Sequence, residues 1–237
     1  MTAALVSVIT TVFNGEDFLA EALASAAAQD YTPVEIVVVD DGSTDASLAV
    51  ARSFADQADG RVRCLKEEHA GRSAALNAGL AAASGEILAF LDADDRWPGG
   101  KLTTQVGYLL DHPDVGFVFG HQELFGARDI ATLTGGWTRP PWYQWVSDWE
   151  RREEIPAMSL VVWRRVFDAV GTFDTTFAVA ADVDWILRAQ ESGVGFAIVP
   201  DVVLHRRVHE SNLTRGEALN RREHLLLMKR RMERRRA

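Results

Sequence analysis

The sequence predicts an α/β fold in which a mostly parallel central sheet is flanked by helices. Short apolar runs alternate along the chain with segments whose apolar residues recur at helical spacing. Several of these runs are apolar on both faces, as expected for parallel strands covered by helices on each side. No repeat or low-complexity linker interrupts the alternation. A doubly wound sheet is therefore expected, with ligands at the carboxyl ends of its strands.

The individual elements follow from the same pattern. Apolar runs bounded by turn residues predict strands at 5–12, 35–40, 61–66, 86–92 and 115–120. Polar capping residues ahead of helical spacing predict helices at 16–29, 43–57, 71–84 and 101–112. Beyond residue 121 the alternation breaks, and a strand at 157–163, a helix at 182–192 and a strand at 195–199 are predicted to complete the same domain. This gives one domain over 1–214, with halves at 1–120 and 121–214.

Residues 137–149 interrupt the second half. The segment contains four tryptophans beside a Pro-Pro pair, which indicates an irregular loop lined by aromatic rings. Such rings suit stacking on a ligand or closing over it, but ordinary packing or a homodimer contact explains them equally well.

Composition limits the class of protein. The chain has 237 residues, 47% of them hydrophobic and 25% charged, which is typical of a globular protein with a sizeable core. The single cysteine, Cys64, excludes an intrachain disulfide framework and a zinc site built on thiolates. The apolar segment before the first polar turn is too short for a signal peptide or a membrane span, so a cytoplasmic protein is expected.

The net charge of −9 is unevenly distributed, because residues 215–237 form a basic segment that is predicted to be a helical tail. Its cations are Arg222, Lys229, Arg230, Arg231, Arg234, Arg235 and Arg236. A solvated helix end explains them, since cations are favoured there by the helix dipole. The alternative is contact with the cytoplasmic face of an anionic membrane or with another partner. A nucleic acid partner is not expected.

Carboxylates gather where two of the predicted strands end. The segment ILAFLDADDRW places Asp92, Asp94 and Asp95 directly after a buried strand, and Asp40 and Asp41 follow another. Like charges this close repel one another, so a positive partner is expected. Mg²⁺ or Mn²⁺ would suit them, because these ions take oxygen ligands and are often completed by substrate phosphates. Solvated turn and cap residues remain the alternative.

Three segments together resemble a known family. VSVITTVFNGEDFLAEALASAAAQDY, EIVVVDDGSTDAS and GRSAALNAGLAAASGEILAFLDADD are similar, in order and spacing, to the nucleotide-sugar-binding half of glycosyltransferase family 2. The resemblance is strong over about the first 100 residues and weaker as far as Thr214. It implies a GT-A fold with a Rossmann-like sheet. It also implies transfer of a sugar from a nucleoside diphosphate donor, usually UDP, with inversion at the anomeric carbon.

The resemblance implies roles for residues of the first half. Thr11 and Phe13 would lie against the base, and Asp41 would accept a hydrogen bond from a uracil ring nitrogen; core packing is the alternative for Phe13. Asp92 and Asp94 match the family's Asp-x-Asp motif. Asp94 would bind the metal directly, with Asp92 nearer the ribose or a metal-bound water and Asp95 in support.

VAADVDWILRAQ resembles the segment that carries the catalytic base in this family. Asp182 would be the general base that takes the proton of the acceptor hydroxyl, with an N-cap role as the alternative. Ala181 stands where the family usually has a further acid. Asp184 would orient or assist the base, although a solvated helix residue is the simpler interpretation.

HRRVHESNLT resembles the family's late Arg-x-His segment. Arg207 would pair with the diphosphate, and His209 would reach a phosphate or the metal. Leu76 stands where family members often have arginine, and Arg72 is expected to compensate by helping to hold the donor.

Two other functions compete with this interpretation. A sugar-1-phosphate nucleotidyltransferase would need a basic, glycine-rich loop near the N-terminus, and TTVFNGEDF has no basic residue. A catalytically silent nucleotide-binding module would bind UDP without turnover, which the aspartates argue against. The acceptor stays open between a saccharide, a lipid-linked glycan, a peptide and a small molecule.

Overall fold

The computed structural model describes residues 3–126, 156–210, 212 and 217–236, and it confirms the predicted α/β fold. Seven strands of this part form one sheet in the order β3-β2-β1-β4-β6-β5-β7. The strands are β1 (Val6–Val12), β2 (Val34–Asp40), β3 (Val62–Lys66), β4 (Ile87–Phe90), β5 (Val115–Phe125), β6 (Val161–Trp163) and β7 (Gly195–Arg207).

Helices cover both faces of the sheet. Those described are α1 (Leu19–Ala27), α2 (Ser47–Asp56), α3 (Arg72–Ala82), α4 (Lys101–Asp111), α5 (Arg164–Val170), α6 (Ala181–Glu191) and α7 (Glu217–Arg234). Every helix predicted in the first half is present. None of the described helices is long and apolar enough to cross a lipid bilayer.

The second half departs from the prediction in three places. The strand predicted at 157–163 begins as a 3₁₀ turn, Ala157–Ser159, and only its last part is β6. The strand predicted at 195–199 continues to Arg207, because its extension pairs with β5 from His121 to Phe125 past several register shifts. Helix α5 was not predicted, since its apolar residues directly continue those of the preceding strand.

Strand direction brings the ends of the central strands to one edge. β1 is parallel to β2 and β4, β2 is parallel to β3, and β5 is parallel to β7. β6 is antiparallel to both of its neighbours. The register pairs Val12 with Asp40, and the backbone N–H of Asp41 donates to the Val12 carbonyl at 2.9 Å. The loops after β1, β2 and β4 therefore open at the same edge.

Alternate residues of the strands feed two cores, one on each face of the sheet. Ile9 and Val39 face the core that contains α3 and α6, whereas Val8 and Val38 face the core that contains α1 and α4. In the first core the buried Trp185 of α6 stacks on Phe167, with ring centroids 4.1 Å apart. Both α3 and α6 pack in this core, and their first turns lie close together, since Arg72 Nη1 is 3.8 Å from Asp182 Oδ2.

Candidate functional site

A single guanidinium links two of the predicted carboxylates. Arg72, the first residue of α3, approaches Asp92 Oδ1 with Nη2 at 2.8 Å and Nε at 3.2 Å. Its Nη1 lies 3.8 Å from Asp182 Oδ2. Burial lowers the pKa of Arg72, but the charges of Asp92 and Asp182 outweigh it and raise this pKa above its usual value. Arg72 is therefore a fixed cation between the strand end and the start of α6.

Asp182 lies in the first turn of α6, where sequence resemblance predicted a base. Its side chain is 15% exposed, and its Oδ1 accepts a hydrogen bond of 2.7 Å from the N–H of Val183. Burial raises the pKa of Asp182, while the charge of Arg72 opposes the rise. A partly desolvated carboxylate with one oxygen toward the site is chemically suited to accept a proton.

Asp94 is held by the second half of the chain. Its Oδ2 lies 3.0 Å from His209 Nε2 and accepts a hydrogen bond of 3.1 Å from Asn212 Nδ2. Asn212 also accepts a hydrogen bond from the His209 N–H at 2.7 Å, so it fixes the segment that carries the imidazole. The sequence interpretation did not single out Asn212, although it stands in the same HRRVHESNLT segment as His209.

The three clustered aspartates are accommodated in three different ways. Arg72 neutralises Asp92, and His209 with Asn212 holds Asp94. Asp95 is buried and accepts a hydrogen bond of 2.8 Å from the Arg207 N–H. Burial, followed by the charges of Asp94 and Asp92, raises the pKa of Asp95 well above its usual range. The protein itself therefore supplies part of the positive charge that was expected beside these three aspartates.

The Arg207 side chain is committed to neighbouring groups. Its Nε donates to the Asp94 carbonyl at 2.9 Å, and its Nη2 pairs with Glu21 of α1. The guanidinium carbon lies 4.9 Å from the ring centroid of Phe18 and 4.4 Å from that of Phe125. These contacts hold the loop of Asp94 in place, and pairing of Arg207 with a diphosphate stays a prediction.

An aromatic face stands at the end of β1. Phe13 is 48% exposed, so core packing is the wrong interpretation of this residue. Its ring stacks on His69, with centroids 4.1 Å apart and planes inclined by 25°. Thr11, two residues earlier, is largely buried. Stacked rings of this kind offer a surface for a planar base.

Asp41 shapes the loop beside that face. The buried carboxylate accepts hydrogen bonds from the N–H groups of Ala70 at 2.9 Å and Gly71 at 3.0 Å. Its Oδ2 also lies 3.0 Å from His69 Nδ1. Asp41 thus ties the loop before α3 to the end of β2, which the sequence did not predict. Each carboxylate oxygen has two lone pairs, so Asp41 has the capacity to accept a further hydrogen bond from a base.

The environment of Asp184 differs from the one that the sequence predicted. Its side chain is 2% exposed, so it is not a solvated helix residue. Oδ2 accepts a hydrogen bond from Arg188 Nε at 2.8 Å, and Oδ1 accepts one from Arg234 Nη1 at 3.2 Å. With both oxygens engaged in ion pairs, Asp184 joins α6 to α7 and is not placed to orient the base.

The basic tail also differs from its prediction. In α7, Arg231 and Arg234 pair with Glu191 of α6, and Arg230 pairs with Asp174. Three of its cations are therefore used within the protein and are not part of a solvated helix end. Contact of the remaining cations with a membrane stays a prediction.

Two further positions from the sequence analysis complete the comparison. The tryptophan-rich residues 137–149 and their predicted roles lie outside the described residues. Leu76, which stands where family members often have arginine, belongs to the core at 1% exposure.

The residues present fit a divalent cation that arrives with its substrate. Within the described ranges, no group of three or more His, Cys, Asp or Glu side chains is arranged as a cage that could hold a metal ion. A magnesium ion held by one or two carboxylates and by substrate phosphates needs no such cage. Asp94 Oδ2 and His209 Nε2, 3.0 Å apart, supply an oxygen and a nitrogen donor. For His209 to bind the ion, its contact with Asp94 must be replaced by a bond from Nε2 to the ion.

Comparison with known proteins identifies the family. The model of the family described as glycosyl transferase family 2 matches residues 7–156, which is more than half of the chain. The chain belongs to glycosyltransferase family 2. The resemblance seen in the sequence is thereby confirmed.

Curated relatives extend over different parts of the chain. An uncharacterized glycosyltransferase of Nostoc is 39% identical over 124 residues, or 52% of this chain and 38% of its own length. One of Rickettsia typhi is 30% identical over 91% of this chain and 67% of its own. WfgD of Escherichia coli, named a UDP-Glc:alpha-D-GlcNAc-diphosphoundecaprenol beta-1,3-glucosyltransferase, is 34% identical over 53% of this chain and 49% of its own. The chain thus spans about two thirds or less of these relatives.

Solved structures agree with a GT-A fold. The mannosyltransferase PcManGT of Pyrobaculum calidifontis, in complex with GDP-Man and Mn²⁺, has a TM-score of 0.70 at 25% identity, covering 91% of this chain and 60% of that protein. TarS residues 1–349 of S. aureus, in complex with UDP-GlcNAc, have a TM-score of 0.71 at 19% identity, covering 89% and 60%. The predicted GT-A class is therefore confirmed.

Proposed function

We propose that this family 2 protein transfers a sugar from a nucleoside diphosphate donor, preferably a UDP-sugar, to an acceptor hydroxyl with inversion. The observation that carries the proposal is the position of Arg72 between Asp92 and Asp182. It sets a carboxylate of the Asp-x-Asp motif and the candidate base on two sides of one guanidinium. A sugar bound at this point would have its donor phosphates on one side and the base on the other.

The donor end of the site is built for a nucleotide. Phe13 and His69 offer a stacked aromatic face, and Asp41 lies beside them as a hydrogen-bond acceptor. A pyrimidine ring with an N–H edge suits this arrangement, because the ring can stack on the aromatic face while the N–H donates to Asp41. The name of WfgD supports a UDP donor, whereas PcManGT was solved with GDP-Man, so UDP and GDP need a direct comparison.

A divalent cation, Mg²⁺ or Mn²⁺, would be held by Asp94, with Asp92 and His209 as supporting groups. When bound, it would neutralise charge on the departing diphosphate. The complex of PcManGT with Mn²⁺ supports this requirement. Arg207 would hold the Asp94 loop in place, as its hydrogen bond to the Asp94 carbonyl suggests.

Asp182 would act as the general base. Its carboxylate would take the proton of the acceptor hydroxyl while that oxygen forms a bond to the anomeric carbon. The bond from this carbon to the diphosphate oxygen breaks on the opposite face, and the electron pair leaves with the nucleoside diphosphate. One displacement from the opposite face inverts the configuration. Arg72 would help to keep Asp182 ionised despite its burial.

The acceptor class stays open between a saccharide, a lipid-linked glycan, a peptide and a small molecule. The name of WfgD describes a lipid diphosphate acceptor and supports the second of these. Membrane contact of α7, a cytoplasmic location and a homodimer stay predictions.

The proposal is tested by measuring nucleotide release from UDP-Glc, UDP-GlcNAc and GDP-Man, each with Mn²⁺, Mg²⁺ or a chelator and with a panel of simple acceptors. Asp182→Asn is the test variant, and Asp56→Asn, which alters an exposed carboxylate at the end of α2, is the matched control. Loss of a general base should lower turnover by about 10²- to 10⁴-fold. Full activity of Asp182→Asn, or formation of a UDP-sugar from UTP and a sugar phosphate, would overturn the proposal.

A further inference from the structure

Helix α6 begins without a local cap. The residue before it is Ala180, which has no side-chain oxygen, and no side-chain cap hydrogen bond is formed there. The N–H groups at a helix start have no partner within the helix, and buried donors without a partner are costly. The start of α6 matters because Asp182 lies in its first turn.

A carboxylate from the far end of the chain instead binds the backbone N–H groups directly ahead of α6. Glu223 of α7 is 5% exposed. Its Oε1 accepts a hydrogen bond from the Ala178 N–H at 2.8 Å, and its Oε2 accepts from Val179 at 2.8 Å and Ala180 at 2.9 Å. An ionised acceptor shared by three consecutive backbone donors is a strong and directional arrangement.

Glu223 is itself firmly placed. Leu227, one turn along α7, is fully buried in the core that contains α6. Further along the helix, Arg231 Nε lies 3.1 Å from Glu191 Oε1, and Arg234 Nε lies 2.7 Å from Glu191 Oε2. These contacts hold α7 along α6 and keep the backbone that carries Glu223 beside residues 178–180.

We propose that Glu223 is a positioning residue for Asp182. By binding the three N–H groups directly ahead of α6, it fixes the backbone on which the first turn is built. The Asp182 side chain is then directed with Oδ1 on the Val183 N–H and Oδ2 toward Arg72. The basic C-terminal helix is thereby a functional part of the site. This inference rests on the proposed function of Asp182 as the base.

The proposed role of Glu223 concerns turnover and not nucleotide binding. Glu223 contacts the segment before the base, whereas Phe13 and Asp94 belong to loops that follow β1 and β4. Loss of the Glu223 hydrogen bonds should therefore lower kcat and leave the affinity for UDP with Mn²⁺ unchanged. Misplacement of a reacting group by about 1 Å costs on the order of 10²-fold in rate, so a decrease in kcat of about 10- to 100-fold is expected.

The test compares Glu223→Gln, Glu223→Asp and Glu223→Ala in the full chain. Glu223→Gln keeps the shape of the side chain and so guards against misfolding, but it turns an N–H group toward backbone donors. Glu233→Gln, which alters an exposed carboxylate on the same helix, is the control. The measurements are kcat and KM for the UDP-sugar, Kd for UDP with Mn²⁺, and amide hydrogen exchange at residues 178–184.

The expected result is faster exchange at residues 178–180, a lower kcat and an unchanged Kd in Glu223→Gln, with partial recovery in Glu223→Asp. Normal kcat in a folded Glu223→Gln or Glu223→Ala variant would overturn the inference. So would an equal loss of UDP affinity, because that would indicate general damage. If Asp182→Asn retains full activity in the same assay, the proposed function itself fails, whereas an inactive Asp182→Asn beside a normal Glu223→Gln contradicts only the positioning role.

Discussion

The guanidinium of Arg72 lies 2.8 Å from Asp92 at the end of β4. The same guanidinium lies 3.8 Å from Asp182 at the start of α6. It therefore holds Asp92 and the candidate base in one arrangement. A charge shared in this way couples the ionisation of Asp182 to the position of Asp92.

Replacement of this cation should change the pH dependence of turnover. Burial raises the pKa of Asp182 and Arg72 opposes the rise, so Arg72→Met should raise this pKa further. A base acts in its deprotonated form, and activity is lost as the pH falls through its pKa. The acidic limb of kcat should therefore move to higher pH, with a greater loss at pH 6 than at pH 8. Arg63→Met, at a half-exposed arginine of β3, is the control. An unchanged acidic limb in Arg72→Met would contradict the coupling.

The exposed ring of Phe13 should contribute to nucleotide affinity. Stacking of a base on an aromatic side chain is worth about 1–3 kcal/mol, so Phe13→Ala should weaken UDP binding by about 5- to 150-fold. Leu110→Ala provides a control, because Leu110 is an apolar residue of α4 with 50% exposure. Calorimetric titration of UDP measures both variants. Equal affinities in the two would remove Phe13 from the base site.

Asp184 should matter for stability and not for proton transfer. Removing one partner of a buried ion pair costs about 3–5 kcal/mol, so Asp184→Asn should lower the free energy of unfolding by roughly that amount. Urea denaturation of Asp184→Asn and Asp182→Asn measures the difference, with a much smaller loss expected in the second. A stable but inactive Asp184→Asn would restore the catalytic role that the sequence suggested.

Lys101 gives the fold a pH-dependent element away from the site. It is fully buried against Trp97, its ammonium donates to the Ser159 carbonyl at 3.1 Å, and burial lowers its pKa to about 7. Between this pKa and the unfolded value of about 10.4, the unfolded chain binds the additional proton. Stability attributable to Lys101 therefore rises with pH in this window, by up to about 1.4 kcal/mol per pH unit.

Urea denaturation at pH 6, 7, 8 and 9 tests this prediction. The stability of the wild-type protein relative to Lys101→Met should increase from pH 7 to pH 9, whereas its stability relative to Lys66→Met, at an exposed lysine of β3, should not change. Parallel pH curves for wild type and Lys101→Met would show that the lysine stays charged.

The elements that the sequence predicted best are those with a local signal. Apolar runs followed by aspartates located the ends of β2 and β4, and therefore Asp41 and Asp92, without knowledge of the packing. Asp184 was misinterpreted because its partners include Arg234, which lies 50 residues further along the chain. Glu223 had no local signal, since a carboxylate on a charged helix resembles any solvated residue until the packing of α7 on α6 is known.

Calorimetric titration of UDP with and without Mn²⁺ tests the central claim most directly, because it needs neither a donor sugar nor an acceptor. It should be performed on the wild-type chain and on Asp94→Ala, with Asp56→Ala as the surface control and GDP as the competing nucleotide. The predicted result is that UDP binds only when Mn²⁺ is present and that GDP binds more weakly than UDP. Binding of UDP should be lost in Asp94→Ala and kept in Asp56→Ala. Absence of UDP binding under every condition, or binding that is indifferent to both Mn²⁺ and Asp94, would contradict the assignment of the donor site.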